Sequence, residues 1–333
     1  MVKPVPKLDE DTRLAVAEKA LVAWDFQATQ IEHIATSENT VFRVDADDGG
    51  TYALRIHRPG YHTLSELNAE LQWTEALNEA GVDVPKPQLT QEGLGYATVS
   101  IPNTDEIRHV GIVEWIDGVP LAKVMKETDD QQTLIGYYDQ LGQITAQIHN
   151  QAVNWQIPKG FQRHAFDADG FMGAAPFWGP FWEVPQLTDA ERKLILQTRS
   201  AIHRTLSEYG KQKETYSLIH ADLHAYNLLV SDNRLYAIDF DDSGFGWHQY
   251  DMAVALYNTQ DEPNFEAIRD TFISSYRSLR VIEDSAIELL PMFLLIRPLA
   301  LLGWLYERPE FNSGERIKRL IALACKQAET FLK

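Results

Sequence analysis

The chain has 333 residues, with 48 acidic against 30 basic side chains, a formal charge of −18 and one cysteine. That charge argues against non-specific nucleic-acid binding and against docking on an anionic membrane. A lone Cys325 excludes an intrachain disulfide framework and a cysteine-rich zinc site. A hydrophobic share of 44%, with 8 Trp, 14 Phe and 13 Tyr, belongs to a packed globular protein, and the length suits two lobes.

The start, Met1-Val2-Lys3-Pro4-Val5-Pro6-Lys7, leads into an acidic helix and not into an apolar segment, so no signal peptide is expected. A helix follows from Asp9 to Ala23, with apolar spacing at Leu14, Ala17, Ala20 and Leu21. Strand-like runs cover Ile31 to Thr36, Thr40 to Asp45 and Tyr52 to Arg58, the last two joined by a turn at Asp47-Asp48-Gly49-Gly50. In the third run Ala53, Arg55 and His57 share one face. This is expected to be a small antiparallel sheet able to lie over a ligand.

Thr63 to Ala80 reads as a helix, with Thr63 and Glu66 spaced as a capping box and Gly81 after the last turn. Glu66 is thereby explained, which leaves Glu70 as the free acidic residue. Val84-Pro85-Lys86-Pro87 forces an extended return. Two more strands run from Gly95 to Ile101 and from His109 to Trp115, and Ile116-Asp117-Gly118 reads as a linker. Beyond it the period becomes helical, over Thr133–His149, Asp189–Tyr209, Gln249–Asn258, Phe265–Leu279, Ser285–Leu305 and Ser313–Leu332. The longest apolar stretch, Leu289 to Leu305, is broken by Pro291, Arg297 and Pro298 and reads as a buried helix, not a membrane span. Cytoplasmic location is the expectation.

Within the helical part lies a different pattern. Leu218 to Val230 and Leu235 to Phe240 are apolar runs flanking the turn Ser231-Asp232-Asn233-Arg234, which spells a β-hairpin. Asn227 enters its first strand and Asp239 leaves its second, so both return to one open end, with Asp222 on the loop just upstream. Two carboxylates and an amide oxygen converging there suit a hard cation such as Mg²⁺.

The order His220-x-Asp222-x-x-x-x-Asn227, then Asp239-Phe240, resembles the catalytic and metal loops of protein-kinase-like phosphotransferases. With His224 in place, it is similar to the branch of aminoglycoside phosphotransferases and choline and homoserine kinases, which also holds a bacterial stress-response Ser/Thr kinase. The resemblance implies an α+β, two-lobed protein-kinase-like fold. Residues 1–116 would form a small antiparallel-sheet N-lobe and residues 117–333 a larger, mainly helical C-lobe. It implies ATP and Mg²⁺ as cofactors and a hydroxyl as acceptor.

Residue by residue, the resemblance makes Asp222 the catalytic base and Asn227 and Asp239 the metal ligands. His224 takes the place of the lysine near the transferred phosphate. His220 holds the loop through backbone contacts, and Asp251 braces it from the next helix. Arg55 stands where the family has its phosphate-binding lysine, aimed by Glu70, while the Glu114 carbonyl and Ile116 amide would meet the purine edge. Two features depart from the pattern. Ser37-Glu38-Asn39-Thr40 replaces the glycine-rich loop, leaving the backbone around Asn39 to offer N–H groups to phosphate. Asp241 and Asp242 follow Asp239-Phe240, where protein kinases carry glycine.

Only eleven residues separate Asp239 from Asp251, too few for a peptide-docking segment, so the acceptor is expected to be a small molecule. The aromatic-rich segment Gln151–Gln186 could wall its site or simply pack as core. Aromatic faces with Asp222, Asp241 and Asp242 favour a cationic acceptor: an amino alcohol, hydroxy amino acid or aminoglycoside. A sugar, a Ser/Thr protein kinase activity and a catalytically inactive nucleotide-binding module are the alternatives.

Overall fold

The computed structural model describes residues 8–37, 39–101, 104–128, 130–311 and 313–333. Glu38, in the turn read as replacing the glycine-rich loop, lies outside the described residues. Helix α1 (Glu10–Leu21), capped by Asp9, packs beneath a sheet whose path is β1 (Ala28–Thr36), β2 (Thr40–Ala46), β3 (Thr51–Ile56), β6 (Ile107–Glu114) and β4 (Pro87–Gln88), with β5 (Tyr96–Ser100) also paired to β6. Each pairing is antiparallel. In β2 burial alternates residue by residue, which puts Phe42 and Val44 in the core against Leu54, Ile56, Val110 and Ile112.

Helix α2 (Leu64–Glu79) begins at Thr63 with the expected capping box. Its later residues, Trp73 and Leu77, belong not to the sheet's core but to the larger helical one. The Trp73 indole donates to Gln151 Oε1 at 2.9 Å and meets Phe240 edge-on. The helix carrying Glu70 is therefore seated on the helical half.

That half comprises β7 (Val119–Pro120), α3 (Leu121–Glu127), α4 (Gln131–Asn154), β8 (Ala165–Phe166), α5 (Ala168–Met172), α6 (Asp189–Tyr209), β9 (Tyr216–Ile219), β10 (Leu228–Ser231), β11 (Arg234–Ala237), β12 (Gly244–Trp247), α7 (His248–Leu256), α8 (Phe265–Leu279), α9 (Asp284–Ile287), α10 (Leu290–Glu307) and α11 (Gly314–Phe331). Gly142 lets α4 and α8 approach closely, since a Cβ there would sit 2.4 Å from the Phe272 carbonyl oxygen. Asp284–Glu307 is long and apolar enough to cross a membrane by length and composition, but 72% of its most apolar stretch is buried, and α10 packs on α7 and α11. It is a buried core helix, as its sequence indicated, and it runs through Pro298 without a break.

Strands β10 and β11 form the expected hairpin, in register from Leu228–Ala237 to Ser231–Arg234. Asp232 and Asn233 both have positive φ, 48° and 61°, the mirror-image turn that suits the twist of two paired strands. A second three-stranded sheet, β8–β12–β9, was not anticipated; its strands are two to four residues long. It ties the Gln151–Gln186 segment to the loops around the hairpin.

Candidate active site

The hairpin's open end brings the sequence-selected residues together. Ile238 N donates to the Asn227 carbonyl at 3.0 Å, so Asn227 and the residue before Asp239 pair across the two strands. Asp222 stands on the preceding loop, whose conformation carries strain. Ala221 has φ of 66°, costly for an alanine by about 1–2 kcal/mol. The buried Asp251 holds it there: its carboxylate accepts from His220 N at 2.9 Å and Ala221 N at 2.7 Å, and from His149 Nε2 at 3.1 Å. Burial pushes the Asp251 carboxyl up to about 6, against the pull of His220 and the two N–H donors, so it is ionised at neutral pH. His220 adds two links, with Nε2 donating to the Ile238 carbonyl at 3.0 Å and Nδ1 accepting from Asp222 N at 3.3 Å.

The Asp222 carboxylate is gripped on both oxygens. Oδ2 lies 2.9 Å from Asn227 Nδ2 and 3.3 Å from His224 Nε2, while Arg297 donates to Oδ1 at 2.5 Å. Burial alone would raise its pKa, but His224 and Arg297 outweigh burial and hold the carboxyl well below the usual range. His224 Nδ1 accepts from Tyr226 N at 3.2 Å, which fixes the ring. Arg297 was not singled out by the sequence as a site residue. It lies 75 positions away on α10 and reads there as a break in an apolar run.

Asp239 also adopts positive φ, 66°. Its Oδ1 sits 3.2 Å from Arg55, whose other branch lies 3.4 Å from Glu70. Burial disfavours both charges of the Arg55–Glu70 pair. The carboxylates of Asp239 and Glu70 nonetheless raise the arginine above its usual value. Burial and then Asp241 raise the Glu70 carboxyl, with Arg55 opposing them. Among the described residues, Asp239 Oδ1 is otherwise a buried oxygen with no hydrogen-bond donor. With Asn227 giving its Nδ2 to Asp222, the cavity is offered a carboxylate and an amide oxygen. An oxygen donor set of this charge fits a hard divalent cation.

A cavity of about 560 Å³ lies between the sheet and the hairpin. Val41 and Ala53 line it from the sheet and Leu229 and Ile238 from the hairpin, while Glu114 and Ile116 line its linker side. A second cavity, of about 520 Å³, contains Asn39, Asp222, His224, Asn227, Trp178 and Arg297. The two share Ala35, Val41, Arg55, Tyr226 and Asp239.

The two aspartates after Phe240 have separate duties. Asp241 is buried, with Oδ2 accepting from Asn39 Nδ2 at 3.2 Å and Oδ1 3.5 Å from His57 Nδ1. Asn39 is thus fastened to this loop, and its Oδ1 accepts from Arg58 N at 3.0 Å. Asp242 lines the second cavity, bonded to the Tyr61 hydroxyl and to Trp178 Nε1. Of the aromatic segment, Phe166, Phe171 and Phe181 are core, and Trp178 alone of its aromatics lines the second cavity. From the same segment Arg163, another residue the sequence did not flag, clamps the carbonyls of Glu66, Phe240, Asp241 and Ser243.

With two cavities meeting at these loops, the architecture is that of a protein-kinase-like phosphotransferase. The sequence model of the phosphotransferase enzyme family matches residues 30–284, and the chain belongs to that family. It is similar to the amicoumacin kinase of Bacillus subtilis strain 168, 24% identical over 92% of this chain and 89% of the relative. Among solved structures it resembles a microcompartment-associated aminopropanol kinase, 31% identical with a TM-score of 0.82 over 96% of this chain and 97% of the other. The amicoumacin kinase hAmiN, solved in complex with AMP-PNP, Ca²⁺ and Ami, is 21% identical with a TM-score of 0.78, over 97% of this chain and 94% of that one. The protein is a phosphotransferase that moves a phosphoryl group to a hydroxyl of a small molecule.

Proposed function

We propose that this enzyme transfers the γ-phosphoryl group of ATP, taken as its Mg²⁺ complex, to the hydroxyl of an amine-bearing small alcohol. The carrying observation is the junction of the two cavities at Arg55, Tyr226 and Asp239, with Asp222 on the second cavity only. Nucleotide in the first cavity and acceptor in the second would face each other across that junction, the geometry an in-line displacement needs.

In this reading the sheet half, up to residue 116, covers the nucleotide, and residues 117–333 supply the loops and the acceptor site. Glu114 and Ile116 meet the purine edge, Asn39 and Arg55 approach the phosphates, and Glu70 aims Arg55. Asn227 and Asp239 hold Mg²⁺, which when bound would neutralise charge on the phosphates. The acceptor oxygen bonds to the γ-phosphorus as the bridging P–O bond breaks, ADP leaves, and the hydroxyl proton passes to Asp222. A carboxylate held this far below its ordinary range is a weak proton acceptor. Asp222 therefore acts chiefly by orienting the hydroxyl, taking its proton late, as a loose transition state requires. His224 and Arg297 fix the carboxylate for that duty. ATP as donor makes the cytoplasm the expected compartment.

An amine on the acceptor is supported by Asp242 on the second cavity, a carboxylate beside the indole edge of Trp178. The similarity to an aminopropanol kinase at 31% identity points the same way. The test is a side-by-side assay of ATP consumption with Mg²⁺ on amino alcohols, hydroxy amino acids, aminoglycosides, neutral sugars and a Ser/Thr peptide pool. Turnover concentrated on the amine-bearing alcohols is expected. Efficient phosphorylation of peptides or of neutral sugars alone would overturn the acceptor assignment.

A further inference from the structure

Behind the metal loop lies a group of side chains that the phosphotransfer reading does not use. His62, on the turn before α2, Glu66, in the first turn of α2, and His164, before β8, each bring one ligand-type atom to within 4.8 Å of the others. The His62 side chain is 3% exposed, and among the described residues neither of its ring nitrogens has a hydrogen-bond partner. A buried nitrogen left unpaired costs about 1–3 kcal/mol, which calls for something to occupy it.

His164 narrows what that something is. Its Nε2 lies 3.1 Å from the Asp242 carbonyl, and a carbonyl only accepts, so Nε2 carries the proton. Nδ1 is then a bare lone pair, and it too is buried and without a partner among the described residues. A histidine that donates one N–H to a backbone carbonyl and offers the other nitrogen is the usual metal-ligating arrangement. Burial keeps both imidazoles neutral, His62 with a pKa of about 4 and His164 well below its ordinary value, so their lone pairs are available near pH 7. Glu66 completes the set with a carboxylate whose backbone and side-chain bonds to Thr63 hold it ionised against burial. Arg163 stands nearby and opposes a cation: at His62 the field of Asp241 exceeds it and Glu66 adds to that field, while at His164 the arginine is the stronger of the two.

We propose that His62, Glu66 and His164 bind a divalent transition-metal ion of the Zn²⁺ type. Two imidazole nitrogens and a carboxylate oxygen are a donor set Zn²⁺ prefers and Mg²⁺ does not, and they leave a fourth position for water. Bound there, the ion joins the turn before α2 to the segment that carries Arg163. It thereby ties the helix bearing Glu70 to the loop bearing Asp239. It is structural and takes no part in phosphoryl transfer.

The experiment uses the full chain, stripped with a chelator and then held in excess Mg²⁺ so that the hard-cation site is filled. Titration with Co²⁺ is followed by its visible d–d absorption, and Zn²⁺ is then added to displace it. The expected result is saturation at one Co²⁺ per chain, with an intense band that disappears in both His62→Ala and His164→Ala and falls on Zn²⁺ addition. A thermal melt is read in parallel, with Zn²⁺ raising the Tm of the parent chain and not of the variants. Should His62→Ala fail to fold, His164→Gln reads the same loss from the less buried ligand. No Co²⁺ uptake in excess Mg²⁺, or equal uptake by parent and variants, would overturn the site and leave the orphan nitrogens to water.

Discussion

The proposed catalytic and metal loops each present an aspartate to the same cavity, yet different sets of contacts hold them. Around Asp222, the contacts come from the helical half: Asp251 on α7, His149 on α4 and Arg297 on α10. Around Asp239, Asp241 and Asp242, Arg55, Asn39, His57 and Tyr61 of the sheet half and the turn after it meet the side chains, while Arg163 and His164 of the helical half hold the loop's carbonyls and Trp178 bonds Asp242. Asp222, the proposed acceptor-orienting group, thus belongs to the helical frame. The proposed metal-holding loop measures where the sheet half sits, since Arg55, Asn39 and His57 reach it only when the sheet covers the cleft.

Asp222→Asn tests the rigid side most severely. The amide keeps the shape of the side chain but can take no proton and brings no negative charge to Arg297. Turnover is expected to fall by about 10²–10⁴-fold while nucleotide affinity holds. Steady-state kinetics with a nucleotide-binding titration check it. A fall of less than about tenfold, roughly 1.4 kcal/mol in barrier, would remove Asp222 from the reaction.

Asp251→Asn attacks the frame itself. Two backbone N–H groups face that carboxylate, and an amide can accept from one only while presenting its own donor to the other. A stability loss of about 1–3 kcal/mol is expected, read by urea denaturation. The pH dependence carries a sign. Because the folded carboxyl of Asp251 is raised from an ordinary 3.8 to about 6, the folded state holds its proton more tightly in that window. Its contribution is present at acid pH and is lost as pH rises through about 6. Asp222 runs the other way: held low, it stabilises above the ordinary carboxylate range and that contribution is lost as pH falls. In Asp251→Asn the decline between about pH 4 and 6 should vanish, leaving only the rise due to low-pKa carboxylates.

Arg297→Met sharpens the same side by separating charge from position. Without the guanidinium the Asp222 carboxyl moves up toward its ordinary value, so the acid limb of kcat/KM shifts to higher pH. His224 and Asn227 still hold the other oxygen, and kcat is expected to drop by about tenfold. An unmoved acid limb would show that Arg297 only fills space.

How these residues came to light follows from their reach along the chain. The capping box of Thr63 and Glu66 and the turn at Asp232-Asn233 are local, set by neighbours within four residues, and the sequence displays both. The convergence of Asn227 and Asp239 was legible because one hairpin imposes it. Arg297 was hidden because its partner lies 75 positions away and its surroundings are uniformly apolar. Arg163 was hidden because it contacts only carbonyls, which every residue carries. The aromatic segment was ambiguous for another reason: rings such as Phe166, Phe171 and Phe181 signal burial equally well in a core and in a binding wall.

The smallest effect bears on the adjustable side. Arg55 divides its guanidinium between Asp239 at 3.2 Å and Glu70 at 3.4 Å, so two elements compete to aim it. If α2 does the aiming, Glu70→Gln should raise the KM for ATP and lower kcat part of the way toward Arg55→Ala. The double variant should then be no worse than Arg55→Ala, giving a coupling of about 0.5–1 kcal/mol in a mutant cycle. Burial raises the Glu70 carboxyl and Arg55 opposes this, so Arg55→Ala also favours proton uptake at Glu70. Strict additivity would mean that Glu70 does not aim the arginine. The contact with Asp239 would then set its position, and the metal loop would be placing the sheet half instead of reporting on it.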